Sequence, residues 1–405
     1  MRFFYQKVYT MKRVLQFLSY VMVATLASVI TLALCVPPYM EPSIVPEAPL
    51  PTESKLDQLS ALIQEQFIGD VDVTAMEDAA AAAMVEALGD RWSHYISAED
   101  YSSYVSQMAN SYVGIGITIT VREDGTGYNI TQVAQGGPAE QAGILAGDIL
   151  IGAAGQRFAN VVDTSQSNVI RGDAGTFVDI TVLRNGEEKT FNVERRLIKT
   201  VAAKGQMISD RVGLVTIYNF HSGAADEAIK AVEELRKQGA KALLFDLRNN
   251  PGGYKSELVK ILDHLLPEGP LFRSLDYLGN ESVDQSGASF VNLPMAVLVN
   301  GESYSAAEFF AAAIKEYDAG FIAGTQTCGK GYFQITITLK DGSAVGLSVG
   351  KYFTPNGVSL AEVGGLTPDL VVEVDEAVFN AIYARTLLPE EDPQIQAALA
   401  RLLEK

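Results

Sequence analysis

The chain has 405 residues, enough for two or three domains, and 48% of them are hydrophobic, which excludes a disordered protein. Its 49 acidic residues outnumber 31 basic ones, and the net charge of −18 argues against nucleic acid as a partner. Two cysteines, Cys35 and Cys328, and three histidines, His94, His221 and His264, form no cluster with metal-ligand spacing, so neither a metal nor a cofactor is expected.

In chain order, Arg2, Lys7, Lys12 and Arg13 precede an uncharged apolar run from Val14 to Val36. As a helix that run would span about 34 Å, enough for a bilayer and longer than the ~7–15-residue apolar core of a cleaved signal peptide. The basic flank keeps the N-terminus cytoplasmic and sends the rest across, so residues 1–36 read as a stub and single-pass anchor to the cell membrane. Six prolines between Pro37 and Pro51 predict an extended stalk over 37–51. Leu56, Leu59, Leu62, Ile63 and Phe67 then recur at helical spacing. A second helix is expected from about Thr74 to Gly89, and a third from Ser97-Ala-Glu-Asp100. This segment, 52–110, carries no evident chemistry and reads as a helical packing or homodimerisation element.

Between 111 and 198 the pattern changes to short β-type runs punctuated by glycine. Gly114-Ile115-Gly116-Ile117 opens a β-branched run, and Gly137-Pro-Ala-Glu-Gln-Ala-Gly-Ile-Leu-Ala-Gly-Asp148 reads as a short helix and turn before the strand Ile149–Ile151. Residues 163–172 look helical, and Phe177–Leu183 and Lys189–Val193 look like strands. This arrangement resembles a PDZ domain. The resemblance implies that the Gly-Ile-Gly-Ile turn offers its N–H groups to the terminal carboxylate of a substrate protein's tail, and that the next strand adds the tail as another strand.

From 199 to 405 strands and helices alternate: Val212–Phe220, Ala224–Gln238, Ala242–Leu247, Ser256–Leu266, Met295–Val299, Ser305–Tyr317 and Gly320–Gly324, then a hairpin around Lys340-Asp-Gly-Ser343. That alternation predicts an α/β layer on a largely buried sheet. Within it, Ser305 lies in Val299-Asn-Gly-Glu-Ser-Tyr-Ser-Ala-Ala-Glu308, and Lys330 in Gly329-Lys-Gly-Tyr-Phe-Gln334. A serine hydroxyl needs a base, and a desolvated lysine can serve. The same Ser305-Ala-Ala-Glu308 is a capping box, a reading compatible with the first, because a serine at a helix start sits beside free N–H groups suited to an oxyanion.

Taken in order, the PDZ-like segment, Asp246-Leu-Arg-Asn-Asn-Pro-Gly-Gly253, Ser303-Tyr-Ser-Ala-Ala-Glu308, Thr325…Gly329-Lys-Gly331…Gln334 and Tyr352-Phe-Thr-Pro355…Leu366-Thr-Pro-Asp369 resemble the carboxy-terminal processing peptidases, or tail-specific proteases. The resemblance implies a multidomain α/β protein: a PDZ-like β-rich domain plus a core of Clp protease/crotonase type, behind the helical segment and membrane anchor. It implies Ser305 as nucleophile, Lys330 as general base and Gln334 as the residue that orients it. The oxyanion hole would draw on Gly252 or Gly253 and on Ala306, and Arg171 matches an arginine that couples peptide binding to activation. Tyr304, Ala307 and Cys328 depart from the usual motif residues. The activity implied is serine endopeptidase cleavage of extracytoplasmic proteins. A catalytically inactive PDZ scaffold is the main rival, and an acyl-CoA enzyme of crotonase type a more distant one.

Overall fold

The computed structural model describes residues 54–404, so the expected anchor (1–36) and stalk (37–51) lie outside the described residues. No described helix is long and apolar enough to cross a membrane. The described residues fall into two units that divide between Met76 and Glu77. In the first, Ser54 caps the helix Lys55–Gln66: its Oγ accepts from Asp57 N–H at 3.2 Å while its own N–H donates to Asp57 at 2.9 Å. The predicted leucine row, Leu56, Leu59 and Leu62, is exposed.

The second unit is organised around a six-stranded sheet in the order Ala203–Met207, Val212–Ile217, Ala242–Asp246, Met295–Val299, Gly320–Gly324, Leu370–Val371. Only the first pair is antiparallel. Because successive side chains point to opposite faces, near-continuous apolar strands can be covered on both sides. Leu243, Phe245, Val297 and Val299 face the helices Ala224–Lys237, Lys255–Leu265 and Ala306–Glu316. Ala242, Leu244, Ala296 and Leu298 face Ile395, Ala398 and Leu402 of the helix Pro393–Leu403. Phe310 packs edge-on against Phe245 and Phe309 against Phe272, each at 5.1 Å between ring centroids, which pins the start of Ala306–Glu316 to the strands Ala242–Asp246 and Gly269–Asp276. Removing the fully buried Phe310 ring would cost about 3–5 kcal/mol.

A second sheet joins His94–Ile96, Ala344–Phe353, Gly269–Asp276 and Glu281–Ser286 in that order, with Tyr332–Thr338 also paired to Ala344–Phe353. The segment before the PDZ-like region thus contributes a strand, His94–Ile96, to a sheet built after it. Neither this strand nor the hairpin Gly269–Ser286 is evident in the sequence. One is three residues long, and Glu281–Ser286 is polar and mostly solvent-facing, so neither carries an apolar alternation.

Residues 117–194 form an antiparallel sheet, Ile117–Val121, Tyr128–Val133, Ile149–Ala153, Phe177–Arg184, Glu187–Glu194, over a core that includes Tyr128, Ile130, Leu150, Ile180 and Val182. The ribbon Ser111–Gly114 with Arg196–Lys199 brings the chain in and out side by side. The expected helix at 163–172 is a 3-10 turn, Ser165–Ile170.

Candidate active site

Three loops meet where the parallel strands Ala242–Asp246, Met295–Val299 and Gly320–Gly324 end, the usual position of a site in such a sheet. They carry Pro251–Gly253, Ser303–Ser305 and Cys328–Lys330. Ser303 is fully buried: its Oγ donates to Leu247 O at 2.7 Å and accepts from Asn300 N–H at 3.0 Å. That hydroxyl is committed to joining two loops. Ser305, 7% exposed, has φ 52° and ψ −118°, a conformation that L residues rarely adopt and that costs on the order of 1–3 kcal/mol. It lines a cavity of about 470 Å³ together with Lys330, Gln334 and Gly253.

Glu308 holds this strained start in place. Fully buried, its carboxylate accepts from Ser305 N–H (2.8 Å) and Lys330 N–H (2.9 Å) on one oxygen, and from Gly329 N–H (2.6 Å) and Thr327 Oγ1 (2.6 Å) on the other. One side chain therefore ties together the backbones of both candidate catalytic residues. The capping-box spacing reveals the bond to Ser305 but not the other three, which come from a loop about 20 residues further on.

Lys330 lines the same cavity, but its Nζ makes no hydrogen bond to Ser305. Nζ lies 4.6 Å from the centroid of the Trp92 ring, and among the described residues the lysine's one hydrogen bond is the backbone bond to Glu308. Burial pushes the Lys330 pKa below the ordinary lysine value; Arg91 adds to that, while Cys328, Asp90 and Glu308 oppose it. Gln334 donates to Ser348 Oγ at 2.9 Å and Tyr332 O at 3.3 Å, not to Lys330. It follows a register shift between Phe333 and Gln334 in the strand pairing.

The two glycines differ. Gly252 N–H donates to Asn250 Oδ1 at 2.8 Å, whereas neither Gly253 N–H nor Ala306 N–H has a partner among the described residues. Gly252 sits so close to Ser305 that an added Cβ would fall 3.0 Å from Ser305 Cβ, and one on Gly253 would fall 2.4 Å from Phe220 C. Only glycine fits at either position.

Two histidines border the same cavity. His221 is buried, and because a carbonyl can only accept, its Nδ1 carries the proton donated to Gln107 O at 3.0 Å; burial lowers its pKa. His94 Nδ1 bonds Trp92 O at 3.1 Å. His264 pairs with Glu233 and is not part of the cavity. Residues of the supposedly inert helical segment, Tyr101, Tyr104, Val105 and Met108, form a further wall. Sequence reasoning missed them because their aromatic and apolar spacing is indistinguishable from ordinary helix packing.

In the PDZ-like region, Gly114 ends one ribbon strand, the Ile115 side chain is in the core, Gly116 has φ +81°, and Ile117 begins an edge strand. Arg171 lines a cavity of about 700 Å³ shared with Gln107, Asn110, Val113, His221 and Pro251. Among the described residues no group of three or more His, Cys, Asp or Glu is arranged to hold a metal ion.

Comparison with known proteins gives matches over both regions. Residues 211–372 match Peptidase family S41 and residues 113–194 match the PDZ domain. A "Probable CtpA-like serine protease" of Staphylococcus aureus (strain N315) is 30% identical over 326 residues, 79% of this chain and 64% of the relative. Its counterpart in Staphylococcus saprophyticus is 28% identical over 323 residues, 79% of this chain and 65% of the relative. The chain thus spans about two-thirds or slightly less of the length of these relatives. A solved structure from Bacteroides fragilis, a "Putative S41 protease", shares the fold over 88% of this chain and 99% of its own, with 17% identity and a TM-score of 0.56.

Proposed function

From the premise that the chain carries a peptidase family S41 domain behind a PDZ domain, we propose that it is a serine endopeptidase with a Ser305–Lys330 dyad. The observation that carries this reading is the Glu308 carboxylate, which accepts from the backbone N–H groups of both residues at the edge of one cavity. In the reaction, neutral Lys330 takes the Ser305 proton as Oγ attacks the scissile carbonyl. The N–H groups of Gly253 and Ala306 stabilise the oxyanion, the protonated lysine passes its proton to the departing amine, and water then hydrolyses the acyl-enzyme. Gln334 orients Lys330 once it has turned towards Ser305.

The substrates are extracytoplasmic proteins whose C-terminal tails bind the Gly114–Ile117 turn and the open edge of Ile117–Val121. The apolar run 14–36 anchors the protein in the cell membrane, and the exposed leucine row of Lys55–Gln66 suits a homodimer contact. The domains run 52–110, 111–198 and 199–405. A second reading, an inactive PDZ scaffold, draws on Lys330 Nζ resting on Trp92 instead of on Ser305. Casein hydrolysis by the purified protein separates the two: activity lost in Ser305→Ala supports the peptidase, and no hydrolysis by the unaltered protein supports the scaffold.

A further inference from the structure

Lys330 has a seat that proton transfer from Ser305 does not require. Trp92, the chain's single tryptophan, lies under Lys330 Nζ at 4.6 Å and under Arg91 Cζ at 4.1 Å. Arg91 Nη2 also donates to Cys328 Sγ at 3.2 Å, and the indole meets Tyr304, the neighbour of Ser305, edge-on at 6.2 Å. The loop bearing Trp92 is fixed. Asp90 accepts from the N–H groups of Trp92 and Ser93, both at 3.1 Å, and from Ser93 Oγ at 2.6 Å. Ser93 Oγ accepts from Ser348 N–H at 3.0 Å, and Ser348 Oγ accepts from Gln334 at 2.9 Å. The indole, the lysine and the glutamine therefore belong to one connected wall.

An indole face attracts an ammonium ion and has little attraction for a neutral amine. Of the charged and titratable groups around Lys330, Asp90, Glu308 and Cys328 favour the ammonium, and Arg91 disfavours it; His94 and His221 share the cavity. We propose that Trp92 is a positioning residue that holds Lys330 as an idle ammonium on its indole face, so that the base reaches Ser305 only by leaving that face. The proposal rests on the dyad reading above and adds to it a resting place and a residue that governs departure from it. Arg91, competing for the same ring and repelling the same charge, loosens the seat.

The test uses the full chain, kcat/KM for fluorescently labelled casein across pH, and tryptophan emission excited to exclude tyrosine. Trp92→Leu keeps the seat apolar but removes the π face, so the rising limb of kcat/KM should move to lower pH by on the order of half a unit or more, about a threefold gain on that limb. Trp92→Phe should shift it the same way by less, and it carries the test if the leucine variant does not fold. Arg91→Ala should shift it to higher pH. Emission from Trp92 should titrate with the midpoint of the limb and lose that transition in Lys330→Met. A limb unmoved or raised by both tryptophan variants, or an emission transition that persists in Lys330→Met, overturns the proposal while leaving the dyad intact. Casein hydrolysis that survives Lys330→Met sinks the dyad reading, and the proposal with it.

Discussion

The Ser305 and Lys330 halves of the candidate site are held by the same carboxylate, yet they are organised differently. On the Ser305 side, backbone, cap and helix are all locked: Glu308 is fully buried, Ser303 joins two loops, and Phe309 and Phe310 pin the helix start. On the Lys330 side only the backbone is locked. The lysine side chain rests on Trp92 and the Gln334 amide bonds Ser348. On the proposed dyad reading, the difference teaches that the nucleophile and oxyanion geometry is preformed, whereas alignment of the base is the step left open to control. A long flexible side chain on a fixed backbone can move without disturbing the core.

The most severe way to break the comparison is to remove either partner. Ser305→Ala and Lys330→Ala should each abolish nearly all casein hydrolysis, and the double variant should be scarcely worse than either single one. Ser303→Ala should instead lower thermal stability, since its hydroxyl is structural; activity lost there but kept in Ser305→Ala would reverse the assignment. Next in size is Glu308→Gln. Its amide group would face two donors on one side, costing about 3 kcal/mol of stability and on the order of 10²-fold in rate, measured by calorimetry and by kcat/KM. If the loss fell on rate with no change in stability, Glu308 would act on the chemistry more directly than its distances indicate.

The base side is sharpened by pH. Because burial lowers the Lys330 pKa, its neutral form grows as pH rises through that lowered value, so kcat/KM should climb with a midpoint below the ordinary lysine value of about 10.4. Stability should rise over the interval from the lowered to the ordinary value, where the unfolded chain binds the extra proton. His264→Ala and His221→Asn, if folded, should leave that limb in place; its disappearance in either would reveal a histidine base. The smallest expected effect is that of Arg171→Ala, severalfold slower turnover of substrates bearing a C-terminal tail with untailed casein unaffected, because Arg171 lies in the cavity that ends at His221 and Pro251. Equal loss on both substrates would indicate a damaged fold.

Much of this architecture is legible in the chain because it is local. Met295–Val299 and Gly320–Gly324 are short apolar runs bounded by turn residues, and the Ser305 cap reaches only three residues to Glu308. The PDZ-like strands follow glycine and alternating apolar residues in the same way, with the 3-10 turn Ser165–Ile170 the main shift of type. What local pattern cannot carry is partnership across the fold. His94–Ile96 finds its place only by pairing with Ala344–Gly346, and that pairing delivers Asp90, Arg91 and Trp92 to Lys330. Gly252 and Gly253 are equivalent on paper; in the fold they differ, because the Asn250 side chain takes the N–H of the first. Gln334 is equally ambiguous until a strand register gives its amide to Ser348. The amino-acid sequence by itself determined which groups can do chemistry, since that depends on residue type and near-neighbour spacing. Which of them face one another in the resting protein was decided by the tertiary structure, because strand pairing between distant segments sets those distances.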